Sequence, residues 1–340
     1  MRGDPEHAIL RRIEPIDIPA CIDVFYESVD PLYARLDQPI PPRDPGSLGR
    51  LIGHMLDHDA GRAWLAESPS ATGDPHPPRV LGFGTAWQRE STWYLALLFI
   101  RPEAQAGGLG RRILLRTFPE GPLEPPPAEP PTQPSAEPSA EPSADPRVGL
   151  MATCVDSIQP ISTGLYASYG IVPRLPLFTA IGYPRPNSLP KLPRGVVATA
   201  FDAVEEEGRL AGTVAAVDRE LLGFARPVDH RLWAKEGRRG VLFRRGGDGE
   251  TLGYGYAQAS GRIGPVALLD DTLYPGVLGT LVGRVSPPGP YLVLVPGVNH
   301  RAMVALLRAG FRFEGFPGIM SSTRPWDGLD RYLPASFALL

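Results

Sequence analysis

The chain carries one strand-forming pattern twice. Leu81-Gly-Phe-Gly-Thr-Ala86 recurs as Leu252-Gly-Tyr-Gly-Tyr-Ala257. Each copy follows a candidate strand (Ala63–Glu67; Val241–Arg244) and precedes another (Trp93–Ile100; Pro265–Leu269). A helix signature recurs as well. Asn299-x-x-Ala302, leading to Gly310-Phe311, matches Gln159-x-x-Ser162, leading to Gly170-Ile171. Self-similarity of this kind constrains the architecture before any single motif does, because one fold has to account for both halves.

The copies differ in spacing. Gly82 to Gly170 is 88 positions and Gly253 to Gly310 is 57, a surplus of 31 in the first copy. Residues 119–147 account for 29 of these. They form a 29-residue Pro/Glu/Ala/Ser tract with Pro-Ser-Ala-Glu repeats. Such a composition buries no core and favours extended, solvated chain. The tract is expected to be an exposed, dispensable excursion within the first domain. Pro and Gly cluster again at Tyr183–Arg194, which sets the expected boundary between domains 1–185 and 195–340.

Strands are expected at about Ala8–Ile13, Ala63–Glu67, Val80–Trp87, Trp93–Ile100, Val148–Val155 and Leu175–Gly182 in the first half. Helices are expected near Ile18–Val29, Gly46–Leu56, Leu109–Thr117 and Ser162–Tyr169. The second half repeats the order, with strand Val196–Phe201, helix Leu210–Leu222, a helix near Val277–Val285, strand Tyr291–Val295, helix Ala302–Ala309 and strand Arg312–Met320. Strands, helices and several hairpins in this order predict an α/β (α+β) protein. Each half would be a mixed, mostly antiparallel sheet flanked by helices, not a doubly wound one.

The segment after Trp93–Ile100 carries the chemistry. The apolar run ends at Ile100, a short turn follows, then Gln105-Ala-Gly-Gly108-Leu-Gly110, and an Arg-rich amphipathic stretch begins at Arg111. The order is strand, glycine loop, helix start. Such a loop presents successive backbone N–H groups at the positive end of a helix dipole, where a pyrophosphate is stabilised. Glycine lets the phosphate come close to the backbone. The sequence has neither the Gly-Lys-Ser/Thr of a P-loop nor the G-x-G-x-x-G order of a dinucleotide fold. The plainer reading is a turn that only caps a helix.

Gln/Arg-x-x-Gly-x-Gly/Ala between strand and helix resembles the acetyl-CoA loop of the GNAT N-acetyltransferase superfamily. A second match lies at residues 159–171. Members of that superfamily carry a helix patterned Asn-x-x-Ala-x-x-Leu-Tyr-x-x-x-Gly-Phe, and the positions here are Gln159, Ser162, Leu165, Tyr166, Gly170 and Ile171. The resemblance implies two tandem GNAT-like domains and an acetyl-CoA donor. It implies that Gln105, Ala106, Gly107, Gly108, Leu109, Gly110 and Arg111 hold the pyrophosphate. Main-chain groups of Leu98, Phe99 and Ile100 would bind the pantetheine arm and stabilise an oxyanion, with Gln159 and Ser162 along the same arm. Tyr166 is the implied general acid for the departing thiolate; its plainer role is a half-buried helix aromatic. Arg111, Arg112 and Arg116 either pair with the CoA phosphates or form a solvated basic face.

The second copy lacks these residues. Its corresponding segment is Leu269-Asp-Asp-Thr-Leu-Tyr-Pro-Gly-Val-Leu-Gly279. Asp270 and Asp271 would repel a pyrophosphate, Pro275 removes a donor, and Ala305-Leu306 replaces Leu-Tyr. An empty, partly closed groove is expected there, in a domain that either walls the acceptor cleft or is a structural partner.

The expected reaction is transfer of an acetyl or related acyl group from CoA to a primary amine by the first domain. The acceptor would be a small molecule or a peptide, and the chain a monomer or homodimer. The alternative is a non-catalytic acyl-CoA sensor or scaffold. The general base stays open among Glu90, Asp156, a water chain and the carboxylate of Leu340. The net charge of −3 gives no sign of nucleic acid or an anionic membrane as partner. The apolar runs fall short of a membrane span, and the N-terminus is too polar for a signal peptide. Cys21 and Cys154 read as isolated reduced thiols, so a cytoplasmic protein is expected. His54 and His58, at i and i+4 beside Asp57, are expected on a solvated helix face, and no metal site is expected.

Overall fold

The computed structural model describes residues 7–40, 42–69, 78–119, 149–204, 207–246 and 249–340. The tract expected at 119–147 lies outside the described residues, apart from Pro119. Contacts divide the chain into two compact units. One holds the residues up to Gln88, Trp93–Met151 and Ser168–Gly170. The other holds Arg89–Thr92, Ala152–Ala167 and Ile171–Leu340.

The first unit is built in the order β1 (Ile9–Arg12), α1 (Ile18–Arg35), α2 (Pro45–Asp59), β2 (Ala63–Glu67), β3 (Val80–Arg89), β4 (Thr92–Ile100) and α3 (Leu109–Thr117). β1 pairs antiparallel with β2, and β2 with β3; β4 lies beside β3. Both faces of β3 are covered, and nine of its ten residues are buried or nearly so, Gln88 being the more open one. The two glycines of the repeated motif explain how α3 reaches the sheet. A Cβ on Gly84 would stand 2.8 Å from Ile113 Cγ2 and 3.2 Å from Leu98 Cδ1. One on Gly82 would meet Phe99 O at 3.0 Å and Ile113 Cδ1 at 3.3 Å. The bare backbone is where the helix sits. Its far end is held by Trp93, whose ring N–H donates to Thr117 O at 2.8 Å.

The second unit takes β5 (Leu150–Asp156, from Ala152 on), α4 (Pro160–Ala167), β6 (Val172–Gly182), β7 (Val196–Ala200), α5 (Glu207–Leu222), α6 (Pro227–Lys235), β8 (Arg239–Arg245), β9 (Thr251–Ala257), β10 (Arg262–Leu268), α7 (Tyr274–Val282), β11 (Tyr291–Pro296), α8 (His300–Ala309), β12 (Arg312–Phe313), β13 (Gly318–Ser322) and β14 (Tyr332–Leu333). Its strand order is β5-β13-β6-β11-β10-β9-β8-β7. The β10–β11 pairing is parallel and the other pairings in this order are antiparallel, so the sheet is mixed. Gly255 repeats the close approach of the first unit: a Cβ there would lie 2.7 Å from Leu281 Cδ1 of α7.

The expected strand Arg312–Met320 is two strands. It breaks at a bend through Gly315 (φ +71°), giving β12 and β13. β13 inserts between β5 and β6, with Met320 opposite Cys154 on one side and Leu175 on the other. β6 is longer than expected, and its two edges are used differently. Pro296 of β11 meets Leu177 on one edge, and Gly318 of β13 meets the same residue on the other. A strand from the second repeat thus completes the sheet around strands of the first, and the contact boundary runs through the first repeat. α6 and β14 have no counterpart in the sequence expectations. His54 is buried, not solvated, with its ring edge-on to His58 at 4.8 Å. Both cysteines are free thiols. Burial, with nearby Asp17 adding to it, pushes Cys21 up to about 12. Among the described residues, no helix is long and apolar enough to cross a membrane.

A buried charged network ties α5 and α6 to β9 in the second unit. Arg226 and Asp218 are 1% and 0% exposed and pair through Arg226 Nε–Oδ2 at 3.2 Å and Nη2–Oδ1 at 3.1 Å. His230 Nε2 lies 2.8 Å from Asp218 Oδ2, the Tyr254 hydroxyl donates to Oδ1, and Arg226 also donates to a main-chain oxygen of Leu340. Burial raises the Asp218 carboxyl, but Arg226 and His230 outweigh it and hold it below the usual carboxylate range. A depressed carboxylate stabilises the fold above its unfolded pKa and loses that contribution as pH falls through the folded value. Asp218→Asn leaves Arg226 buried without its counter-charge. It is expected to cost about 3–5 kcal/mol in denaturant unfolding at neutral pH and to flatten the acid limb of the stability curve.

Candidate functional site

The loop after β4 is set by backbone conformation. Arg101 turns the chain out of the strand. It is 5% exposed, and its Nε donates to Val80 O at 2.6 Å, its main-chain N–H to Leu81 O at 2.9 Å, and its Nη1 to the Glu27 carboxylate. A 3-10 turn over Pro102–Ala104 follows. Ala106 and Gly108 both adopt left-handed backbone, with φ +68° and +72°. For alanine that conformation costs roughly 1–2 kcal/mol, and such residues gather where a backbone is shaped for a ligand. Gly108 is the N-cap of α3 and offers no side chain to its first turn, which holds no acidic residue. The first intrahelical bond is Arg112 N–H to Gly108 O at 3.1 Å, so the preceding N–H groups point out of the helix end.

Packing fixes this helix end. Leu109 and Ile113 are buried with Ala8, Ala66, Leu81 and Ala104, and Leu98 and Ile100 pack against them. Leu98, Phe99 and Ile100 are half-buried, whereas the start of β4 is fully buried. Phe99 lies edge-on to Phe25 of α1 at 4.6 Å. The Ile100 carbonyl accepts from Ser28 Oγ and from Gln105 Nε2, both at 2.9 Å. Gln105 therefore uses its side-chain amide to close the strand end. The three arginines separate. Arg111 Nε donates to the Tyr169 hydroxyl at 2.8 Å. Arg112 donates to Ala8 O at 2.7 Å, and Arg116 lies over the Trp64 ring. Only Arg111 turns toward the helix-end segment that carries Tyr169.

Tyr166 belongs to the second unit, as do Gln159 and Ser162. α4 starts where Gln159 N–H donates to Asp156 O at 2.9 Å, and Gln159 O accepts from Thr163 N–H at 3.1 Å. Tyr166 is 5% exposed. Burial pushes its phenol well above the ordinary value, against a smaller lowering by a hydrogen bond with Ser162, so it is protonated at neutral pH. Ser162 thus partners the tyrosine hydroxyl. Of the candidate bases, Glu90 Oε1 accepts from Arg219 Nε at 2.9 Å and Ala225 N–H at 3.2 Å, and a Leu340 oxygen is taken by Arg226. Among the described residues, no group of three or more His, Cys, Asp or Glu is arranged to hold a metal ion.

The corresponding region of the second repeat is filled by its own chain. β10 and β11 pair only at Arg262–Leu292 and Ile263–Val293. Beyond that, β14 takes the edge of β10, with Val266 opposite Leu333 and Ala267 opposite Tyr332. Tyr332 and Leu333 are fully buried. Asn299, at the N-cap of α8, accepts from Ala302 N–H at 3.0 Å and donates to Tyr332 O at 3.2 Å. The groove expected to be empty is therefore occupied. A two-residue strand is too short for a readable alternation, so this pairing has no signature in the sequence. Asp270 accepts from Thr272 N–H at 3.0 Å, so a carboxylate caps the turn before α7.

No protein-family model and no curated protein matches the sequence. Solved structures match the fold. A putative acetyltransferase from Pyrococcus horikoshii superimposes with a TM-score of 0.68 at 16% identity, over 98% of this chain and 96% of its own. A GCN5-related N-acetyltransferase from Sphaerobacter thermophilus gives 0.56 at 16% identity, over 95% and 98%. One from Anabaena variabilis gives 0.53 at 9% identity, over 93% and 72%. Identities this low carry the architecture and leave the substrate aside. The chain has the fold of the GCN5-related N-acetyltransferases.

Proposed function

We propose that this protein is an N-acetyltransferase that moves an acetyl, or related acyl, group from CoA to a primary amine, with the chemistry in the first repeat. The observation that carries the reading is the loop Gln105–Arg111. Left-handed Ala106 and Gly108 shape it, an uncapped helix N-terminus follows, and no carboxylate stands in the first turn. That donor set suits the pyrophosphate of an acyl-CoA. Main-chain groups of Leu98, Phe99 and Ile100 hold the pantetheine arm and the carbonyl oxygen as it becomes an oxyanion. Gln159 and Ser162 line the same arm.

An alkylammonium acceptor has a pKa near ~10 and attacks only after losing a proton. The amine lone pair forms the C–N bond as the thioester C=O opens. The carbonyl reforms as the C–S bond breaks; the sulfur leaves with its electron pair and takes the proton of Tyr166, and the nitrogen, cationic after attack, gives up its second proton, which restores the phenol and leaves a neutral amide. A phenol raised by burial is in the right form to give that proton. The occupied gap between β10 and β11, together with the Asp270 cap, supports a single acyl-CoA per chain. The acceptor is a small molecule or a peptide amine, and the setting is cytoplasmic.

Calorimetry of the full chain is expected to give one CoA per chain and none for Gly110→Glu, which sets bulk and like charge against the pyrophosphate; unchanged affinity in the folded variant would end the loop assignment. Tyr166→Phe is expected to keep CoA affinity and lower turnover by ~10²–10⁴-fold in a CoA-release assay over an amine panel. Turnover at the wild-type rate would make Tyr166 a packing residue. CoA binding without release of CoA for any amine would favour the non-catalytic acyl-CoA sensor.

A further inference from the structure

The first unit contains a cleft of about 740 Å3 that the acetyl-transfer reading does not use. It opens on the side of α3 turned away from Tyr169. Arg111 reaches Tyr169, whereas Arg112, about 100° further round the helix, reaches Ala8 beside β1. Among the described residues, the charged lining is Arg12, Arg62, Arg112 and Arg116, with Trp64 among them and no aspartate or glutamate. The volume falls in the range of small-molecule sites, about 300–1,000 Å3.

Three of the arginines donate to main-chain or amide oxygens. Arg12 Nη1 donates to Ala60 O at 3.0 Å, Arg112 to Ala8 O, and Arg62 to the Gln88 side-chain oxygen. Arg12 and Arg116 both lie over the Trp64 ring, at 4.3 and 5.2 Å from its centroid. Trp64 is itself fixed by its ring N–H to Gly61 O at 3.3 Å. Aromatic support orients a guanidinium, and a planar fork matches the oxygens of a phosphate or carboxylate. Charges of one sign in a concave site concentrate their field on an incoming anion. The Trp64 ring already carries two guanidiniums, so recognition here runs through oxyanions and not through stacking of a base.

We propose that this cleft is a second anion site, fitted to a compact ligand with at least two phosphate or carboxylate groups and separate from the glycine loop. The test uses the full chain carrying Gly110→Glu, so that the loop does not contribute, titrated by calorimetry at low salt with tripolyphosphate in one arm and citrate in the other. Binding of either ligand is expected, weakening at least ~10-fold when Arg12→Gln and Arg116→Gln are added and falling steeply with salt. Binding of one ligand alone assigns phosphate or carboxylate chemistry to the site. Both substituted arginines are exposed, so the same pair in the otherwise wild-type chain repeats the comparison should Gly110→Glu fail to fold. Absence of binding by both anions overturns the site, as does affinity that ignores the two arginines. Neither result depends on whether the loop binds CoA.

Discussion

The position of the loop Gln105–Arg111 depends on how closely a helix can approach a strand, and two missing side chains set that distance. β3 offers bare backbone at Gly82 and Gly84, and Ile113 of α3 rests on it. Any Cβ at Gly84 would force the helix outward, and Leu109, one turn before Ile113, would move with it. The loop would then lose the packing that holds its N–H groups in place. The second repeat obeys the same constraint through Gly255 and Leu281. This accounts for the most visible repeated pattern in the chain: it is a packing requirement, and packing is what both copies share.

What the copies do not share is the electrostatics of the helix start. In the first unit, α3 begins at a glycine and its first turn carries no acid. In the second, Asp270 occupies an N–H of the corresponding turn, Pro275 removes another donor, and β14 pairs with the edge of β10. A carboxylate and an incoming pyrophosphate compete for the same donors, and a paired strand excludes any other occupant of that edge. Fold and chemistry separate cleanly here, since Asn299 keeps its place at a helix start while its amide is given over to Tyr332.

The sequence made the repeat, the mixed α/β architecture and the strand–loop–helix order legible because each has a local signature: a repeated glycine-spaced strand motif, strands and hairpins in series, an apolar run ending in a glycine loop. It did not reveal the insertion of β13 between β5 and β6. That pairing joins residues more than a hundred and fifty positions apart, and a short strand does not announce its partner. β14 escaped for the same reason. α6 was hidden by its shortness and mixed polar sequence, although its inward face carries Asp229, Leu232 and Trp233. The three arginines of α3 were a single basic stretch in sequence. In three dimensions the helical twist sends Arg111 one way and Arg112 and Arg116 the other.

The division of acid and base follows from the same environments. Burial keeps Tyr166 protonated, which in the proposed reaction suits a proton donor and not the group that takes the ammonium proton. The acceptor proton must go elsewhere. Glu90 already accepts from a guanidinium and a backbone N–H, and the Leu340 oxygen is held by a buried guanidinium. For the proposed reaction the base stays open among Glu90, Asp156, a water chain and the carboxylate of Leu340. Asp156 ends β5 and accepts, through its main-chain oxygen, the N–H of Gln159 that starts the helix bearing Tyr166. One short segment, from Asp156 to Tyr166, therefore carries both a carboxylate and a buried, protonated phenol.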